Sequence, residues 1–140
     1  MSFEDVMYLL PKSMAKIKLS LIPVVGSTVI EVLNYIDNIF LEKRLCLIED
    51  KLKELNVLSV FIEQLRFLDE HRYFAFKNNL KFLLTSALPE TVDVYILALI
   101  DSIIGEKQDM AEEVCEVIRQ LNSNDMNTLK LLHVNIEEEV

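Results

Sequence analysis

Glycine and proline are scarce in this 140-residue chain, at two and three residues. Sandwiches and barrels turn the chain every few residues, so an all-β fold is hard to write with so few turn formers. Long helices joined by few loops are easy. Metal-ligand spacing is missing as well. Cys46 and Cys115 stand far apart, no CxxC pair occurs, and His71 and His133 are equally scattered. Neither a disulfide framework nor a zinc site is expected, and both thiols read as buried and reduced. No apolar run reaches the ~18 residues of a spanning helix. Residues 1–5 are acidic, and no apolar run leads into a small-residue cleavage site. The expected location is cytoplasmic.

What is present is apolar and negatively charged. Hydrophobic residues make up 51% of the chain, which excludes intrinsic disorder and allows one proper core. Net charge is −9, unevenly spread. Residues 1–53 carry seven basic and seven acidic side chains, residues 54–104 sum to −3, and residues 105–140 sum to −6. Such a field repels phosphates, so direct nucleic-acid binding is disfavoured. It suits a partner with a basic surface, or simply keeps an oily helical protein in solution.

The spacing of apolar residues predicts helices nearly throughout. Ser2 with Asp5 resembles a cap for a short helix to Leu10, and Pro11 suits the start of a helix over residues 11–22. Leu21, Ile22, Pro23, Val24, Val25 and Gly26 then read as a sharp bend, either a buried corner or the tip of a membrane-dipping hairpin. Thr28 and Glu31 have capping-box spacing and open a long pattern to Leu55, with a weak point at Asp37-Asn38 and an interruption at Lys43-Arg44. Asn56 is the expected C-cap and Ser59 the next N-cap. A second long pattern over residues 59–87 carries two apolar stripes and is the expected central helix. The two long helices would form an antiparallel hairpin with arms of about 40 Å. Pro89 and Glu90 begin the next helix and Gly105 ends it. Residues 94–100 are apolar all round and fit a buried helix, with a strand as the alternative. Asp109 with Glu112 caps a helix to Leu121, residues 125–134 form a last helix, and residues 134–140 form a frayed acidic tail.

No constellation passes a spacing test for chemistry. Asp69-Glu70-His71-Arg72 places a histidine among carboxylates, but neighbours in sequence lie ~100° apart on a helix and do not face one another. The segment reads as a solvated face. Glu112, Glu113 and Glu116 suggest a carboxylate metal site, yet neither histidine has a glutamate three residues before it, as a di-metal bundle requires. They read instead as an acidic surface at a helix start. Asn79 lies near an apolar stripe, where a polar contact in the core would hold register. Lys12, Lys16 and Lys18 are the only basic patch beside an apolar segment. They leave a membrane-associated effector using residues 14–36 as an alternative.

Three segments in order carry a resemblance. Leu21-Ile22-Pro23-Val24-Val25-Gly26 leads toward Leu41-Glu42-Lys43-Arg44. Glu70-His71-Arg72-Tyr73-Phe74-Ala75 follows, and then Ala111-Glu112-Glu113-Val114 and Leu129-Lys130-Leu131-Leu132. The chain resembles small helical bacterial proteins of the abortive-infection alpha type, with their Ile-Pro-x-x-Gly bend and Leu-Lys-Leu-Leu ending. It departs from them at Ser27, where a second glycine is common, and at Ala75-Phe76, where Ala-Asn is usual. The resemblance implies phage defence or a mobile element, no known catalysis, and no catalytic residue to carry over.

The expectation is therefore an all-α, single-domain helical bundle built on a hairpin of residues 28–55 and 59–87. It acts as a non-enzymatic protein-interaction module without cofactor or metal, self-associates, and binds a protein of unidentified kind through residues 21–26. The alternatives are an acidic inhibitor, centred on residues 105–140, that occupies a basic nucleic-acid-binding surface, and the membrane effector.

Overall fold

Ser2 opens the first helix as its spacing with Asp5 requires. The Ser2 hydroxyl accepts the Asp5 N–H, and the Asp5 carboxylate accepts the Ser2 N–H at 3.0 Å. The computed structural model describes residues 2–121; the expected helix over 125–134, the acidic tail and His133 lie outside them. The described residues form eight α-helices and no strand. These are α1 (Phe3–Leu9), α2 (Lys12–Ala15), α3 (Pro23–Val32), α4 (Asn38–Glu54), α5 (Leu58–Leu65), α6 (Glu70–Thr85), α7 (Val92–Ile104) and α8 (Gln108–Gln120). Short 3-10 turns, Lys18–Leu21 and Pro89–Thr91, lead into α3 and α7. The chain is all-α, as expected.

Each arm of the expected hairpin is divided in two. The 28–55 pattern breaks at residues 33–37, where Asp37 turns its carboxylate onto the N–H groups of Ile39 and Phe40 at 2.8 and 3.2 Å. The 59–87 pattern breaks before Asp69, whose carboxylate accepts the Arg72 N–H at 2.8 Å. An aspartate satisfying free N–H groups stabilises a helix start by about 1 kcal/mol, more than it gains inside a helix. Apolar residues recur at helical intervals on both sides of each break, so periodicity alone misses the caps.

Four other expected helix ends move. Thr28 caps nothing: it lies buried inside α3 and its hydroxyl donates to the Val24 carbonyl at 2.7 Å. The helix expected over 11–22 shrinks to α2 and a 3-10 turn, because Ile17 is extended and the Ser20 hydroxyl takes the carbonyls of Ile17 and Met14. Asn56 ends α4 one position beyond its cap, in the left-handed region at φ 58. There its N–H reaches the Lys53 carbonyl at 3.0 Å while the Val57 N–H reaches Leu52 at 2.9 Å. Val57 rather than Ser59 then precedes α5.

The core gathers around α6 and α7. Helix α6 packs on α3, α4, α7 and α8, and α7 packs on α4, α5, α6 and α8. Residues 94–100 are helix, not strand, and Tyr95, Ile96, Leu99 and Ile100 are buried. The Tyr95 hydroxyl donates to the Asn79 carbonyl at 3.0 Å and lies 3.2 Å from Asn79 Oδ1, so Asn79 does make a polar contact in the core. The interruption at Arg44 also has a structural use. Its guanidinium lies over the Phe40 ring and donates to the carbonyls of Leu83 and Ala87 at 3.2 and 3.1 Å, closing the C-terminal end of α6.

Candidate functional site

The 21–26 segment is not a free surface. Pro23 occupies the first position of α3, where its missing N–H costs nothing, and the Gly26 N–H closes the first turn onto the Ile22 carbonyl at 2.8 Å. The corner therefore precedes Pro23, at the 3-10 turn. Ile22, Val24, Val25 and Gly26 are buried, Leu21 is half-buried, and Pro23 alone is exposed. A Cβ on Gly26 would overlap the Val6 side chain of α1 and lie 2.7 Å from the Ser20 carbonyl oxygen. The glycine serves close helix approach rather than a bend. The same packing bears on residues 14–36 as a membrane segment: Met14, Ile17, Leu19, Val29 and Val32 all lie in the core. Among the described residues no helix is long and apolar enough to cross a membrane.

The hairpin of α7 and α8 presents the apolar surface instead. Gly105 ends α7 as expected, with its N–H on the Asp101 carbonyl at 2.9 Å. The Gln108 side chain donates to the Ile103 carbonyl at 2.9 Å and holds the start of α8 against the end of α7. Asp109 is not the cap expected of it, since Lys107 precedes α8 without a side-chain bond. Helix α8 buries Ala111, Cys115 and Ile118, while Met110, Val114 and Val117 on the adjoining stripe stay exposed. On α7, Val94 and Leu97 are 56% and 42% exposed, against the expectation of burial all round. Between the helices runs an open groove of about 540 Å³. Ala98 and Ala111 are its most buried lining residues, Val94, Leu97, Met110 and Val114 flank them, and Asp101, Glu106 and Lys107 lie toward the Gly105 end.

A polar cluster sits on the other side of α8. Arg72, from α6, donates to Asp109 at 2.9 Å, to Glu112 at 3.3 Å and to the Ser102 carbonyl at 3.3 Å. His71 Nε2 lies 3.3 Å from Glu112 Oε2. Asp69 is spent on capping and does not orient the imidazole; the carboxylate beside His71 is Glu112 of α8, and the Asp69–Arg72 run joins α6 to α8. The expected acidic surface is split: Glu112 is partly buried and engaged, while Glu113 and Glu116 are exposed. No group of three His, Cys, Asp or Glu side chains among the described residues is placed to hold a metal ion.

The remaining ionisable groups in the interior are poorly suited to attack. Burial pushes the Cys115 thiol up to about 12 and raises the Tyr95 hydroxyl far beyond its usual range. Cys46 is half-buried on α4 rather than buried as expected, and its thiol is also raised, by burial first and then by Asp50, Glu42 and Glu49. Thiols held protonated are weak nucleophiles at neutral pH. The groove between α7 and α8 is lined mainly by apolar side chains. Val94, Leu97, Met110 and Val114 in that lining, and Val117 beyond it on α8, are not a surface the sequence reading expects, although α8 carries an apolar band wider than one neighbouring helix can cover. No protein-family model, curated protein or solved structure matches this chain.

Proposed function

We propose that this chain is a non-enzymatic protein-binding module whose docking surface is the α7–α8 groove rather than residues 21–26. One observation carries the reading: Val94, Leu97, Met110, Val114 and Val117 are exposed together on two adjacent helices. These side chains are 39–58% exposed, so covering each is worth roughly 1 kcal/mol, which a partner gains and solvent does not. A groove between two helices suits a third helix laid along it. The resemblance to abortive-infection proteins supports a bacterial or mobile-element setting and cytoplasmic action in phage–host conflict. Ile39 and Leu47, exposed on α4, form a second apolar strip that supports self-association.

The test is a phage challenge of cells expressing the full chain, or its Leu97→Asp and Val114→Asp variants. Protection by the parent chain, lost in both variants at unchanged helicity and melting temperature, supports the reading. Full protection by the variants removes the groove from the function. No protection by the parent removes the phage setting alone. Exposed Glu113 and Glu116 favour the second reading, an acidic inhibitor of a basic enzyme. That reading predicts binding abolished by Glu113→Lys with Glu116→Lys and indifferent to Leu97→Asp.

A further inference from the structure

We infer that the occupant of the α7–α8 groove is an amphipathic helix bearing lysine or arginine beside its apolar anchors. This rests on the docking role proposed above and adds the partner's chemistry. Val94, Leu97 and Asp101 follow one another along α7 at helical spacing, as Met110, Val114 and Val117 do along α8. Each row rises about 10 Å over two turns, the reach of three anchors at i, i+3 or i+4, and i+7 on a docked helix. Ala98 and Ala111, both 7% exposed, are short enough to let such anchors sink between the rows.

The surrounding charge selects the flanks of that helix. Residues 90–121 carry eight carboxylates against two cations. Arg72 matches Asp109 and Glu112 on the far side of α8. Asp101 and Glu106 in the groove lining, and exposed Asp93 on α7, have no ion-pair partner among the described residues. Lys107 is the one cation in the lining. A second copy would bring the same carboxylates to face these, from a chain of net charge −9. A phosphate-rich surface would be repelled likewise. A basic helix removes the mismatch and is steered to the groove.

Fluorescence anisotropy with the full chain tests this. The probes are a labelled 16-residue peptide with leucines at i, i+4 and i+7 flanked by lysines, and its twin with glutamates for lysines. At about 50 mM salt the lysine peptide is expected to bind roughly ten-fold tighter or more, with the gap closing near 500 mM. Asp101→Lys with Glu106→Lys narrows the gap at low salt, and Leu97→Asp abolishes binding of both peptides. Equal affinity of the two peptides, still dependent on Leu97, overturns the charge inference and leaves the docking role standing. Failure of both peptides to bind, or indifference to Leu97→Asp, overturns the docking role itself. A photo-crosslinking residue at position 97 separates the other occupants. Capture of residues 122–140 or of a second copy, in place of the lysine peptide, overturns the inference.

Discussion

Helix α3 and helix α8 carry apolar residues at comparable density and dispose of them differently. In α3, Val24, Val25, Val29 and Val32 are all buried, because α1, the 3-10 turn and α6 close on it from several sides. Polar residues are enclosed with them: Ser27 and Thr28 donate back to the Val24 carbonyl. In α8, Ala111, Cys115 and Ile118 pass under neighbouring helices, while Met110, Val114 and Val117 remain outside. Helix α3 carries one charged residue and α8 five, so the number of neighbours and the polarity of a helix together decide what its residues do. A band wider than its cover is then free to meet a partner.

The comparison breaks most visibly under a charge. Val25→Asp places a carboxylate where Val25 is 0% exposed, with no cation provided for it. An unpaired buried charge costs several kcal/mol, enough to take a marginally stable domain to its folding limit. Val114→Asp, on a side chain 39% exposed, should change stability by about 0.5 kcal/mol or less. Urea melts followed by circular dichroism decide the matter: a Val25→Asp chain as stable as Val114→Asp would show that the two helices are equally free.

Alanine sharpens the same contrast at a smaller scale. Gly26→Ala should gain about 1 kcal/mol of helix propensity and still lose about 2 kcal/mol net, since the new methyl meets Val6 and the Ser20 carbonyl. Val114→Ala removes more carbon than that substitution adds, and should cost about 0.5 kcal/mol at most. A Gly26→Ala protein more stable than its parent, read from the melting midpoint, would mean that α1 does not press on α3 as described.

These contrasts show why parts of the molecule were legible from sequence and others were not. The Ser2–Asp5 cap, the stop at Gly105 and the role of Asn79 depend on residues close in sequence or on one polar group in an apolar stripe, and all three appear in the fold. The first long arm divides at its weak point, Asp37-Asn38, and the second at Asp69, where caps of one or two side-chain hydrogen bonds leave the apolar spacing undisturbed. Thr28 and Ser59 mimic caps, but burial turns one inward and the Asn56 turn moves the helix start ahead of the other. For the candidate site, Pro23 and Gly26 stood out because such residues are rare, although rarity marks backbone constraint as readily as exposure. Leu97 and Val114 gave no sign individually. Their exposure depends on which helices fail to cover them, and Arg72 reaches Asp109 across 37 positions of chain.

Alkaline titration probes the inner side of α8, one residue from Val114. A thiol is neutral when protonated, and burial favours that neutral form, lifting Cys115 from an ordinary 9.0 to about 12. Above pH 9 the unfolded chain gives up this proton while the folded chain keeps it. The contribution to stability is whole below pH 9 and drains away as pH rises toward 12. One unit into that window the loss is about 1.4 kcal/mol. Cys115→Val removes the titrating group from an apolar position at similar volume, so its stability should fall less between pH 8 and pH 10 than the parent's, by that amount. Lysines and tyrosines that also titrate there are common to both chains and cancel. Equal losses in the two proteins would mean that Cys115 meets solvent as Val114 does, and that α8 has no dry side.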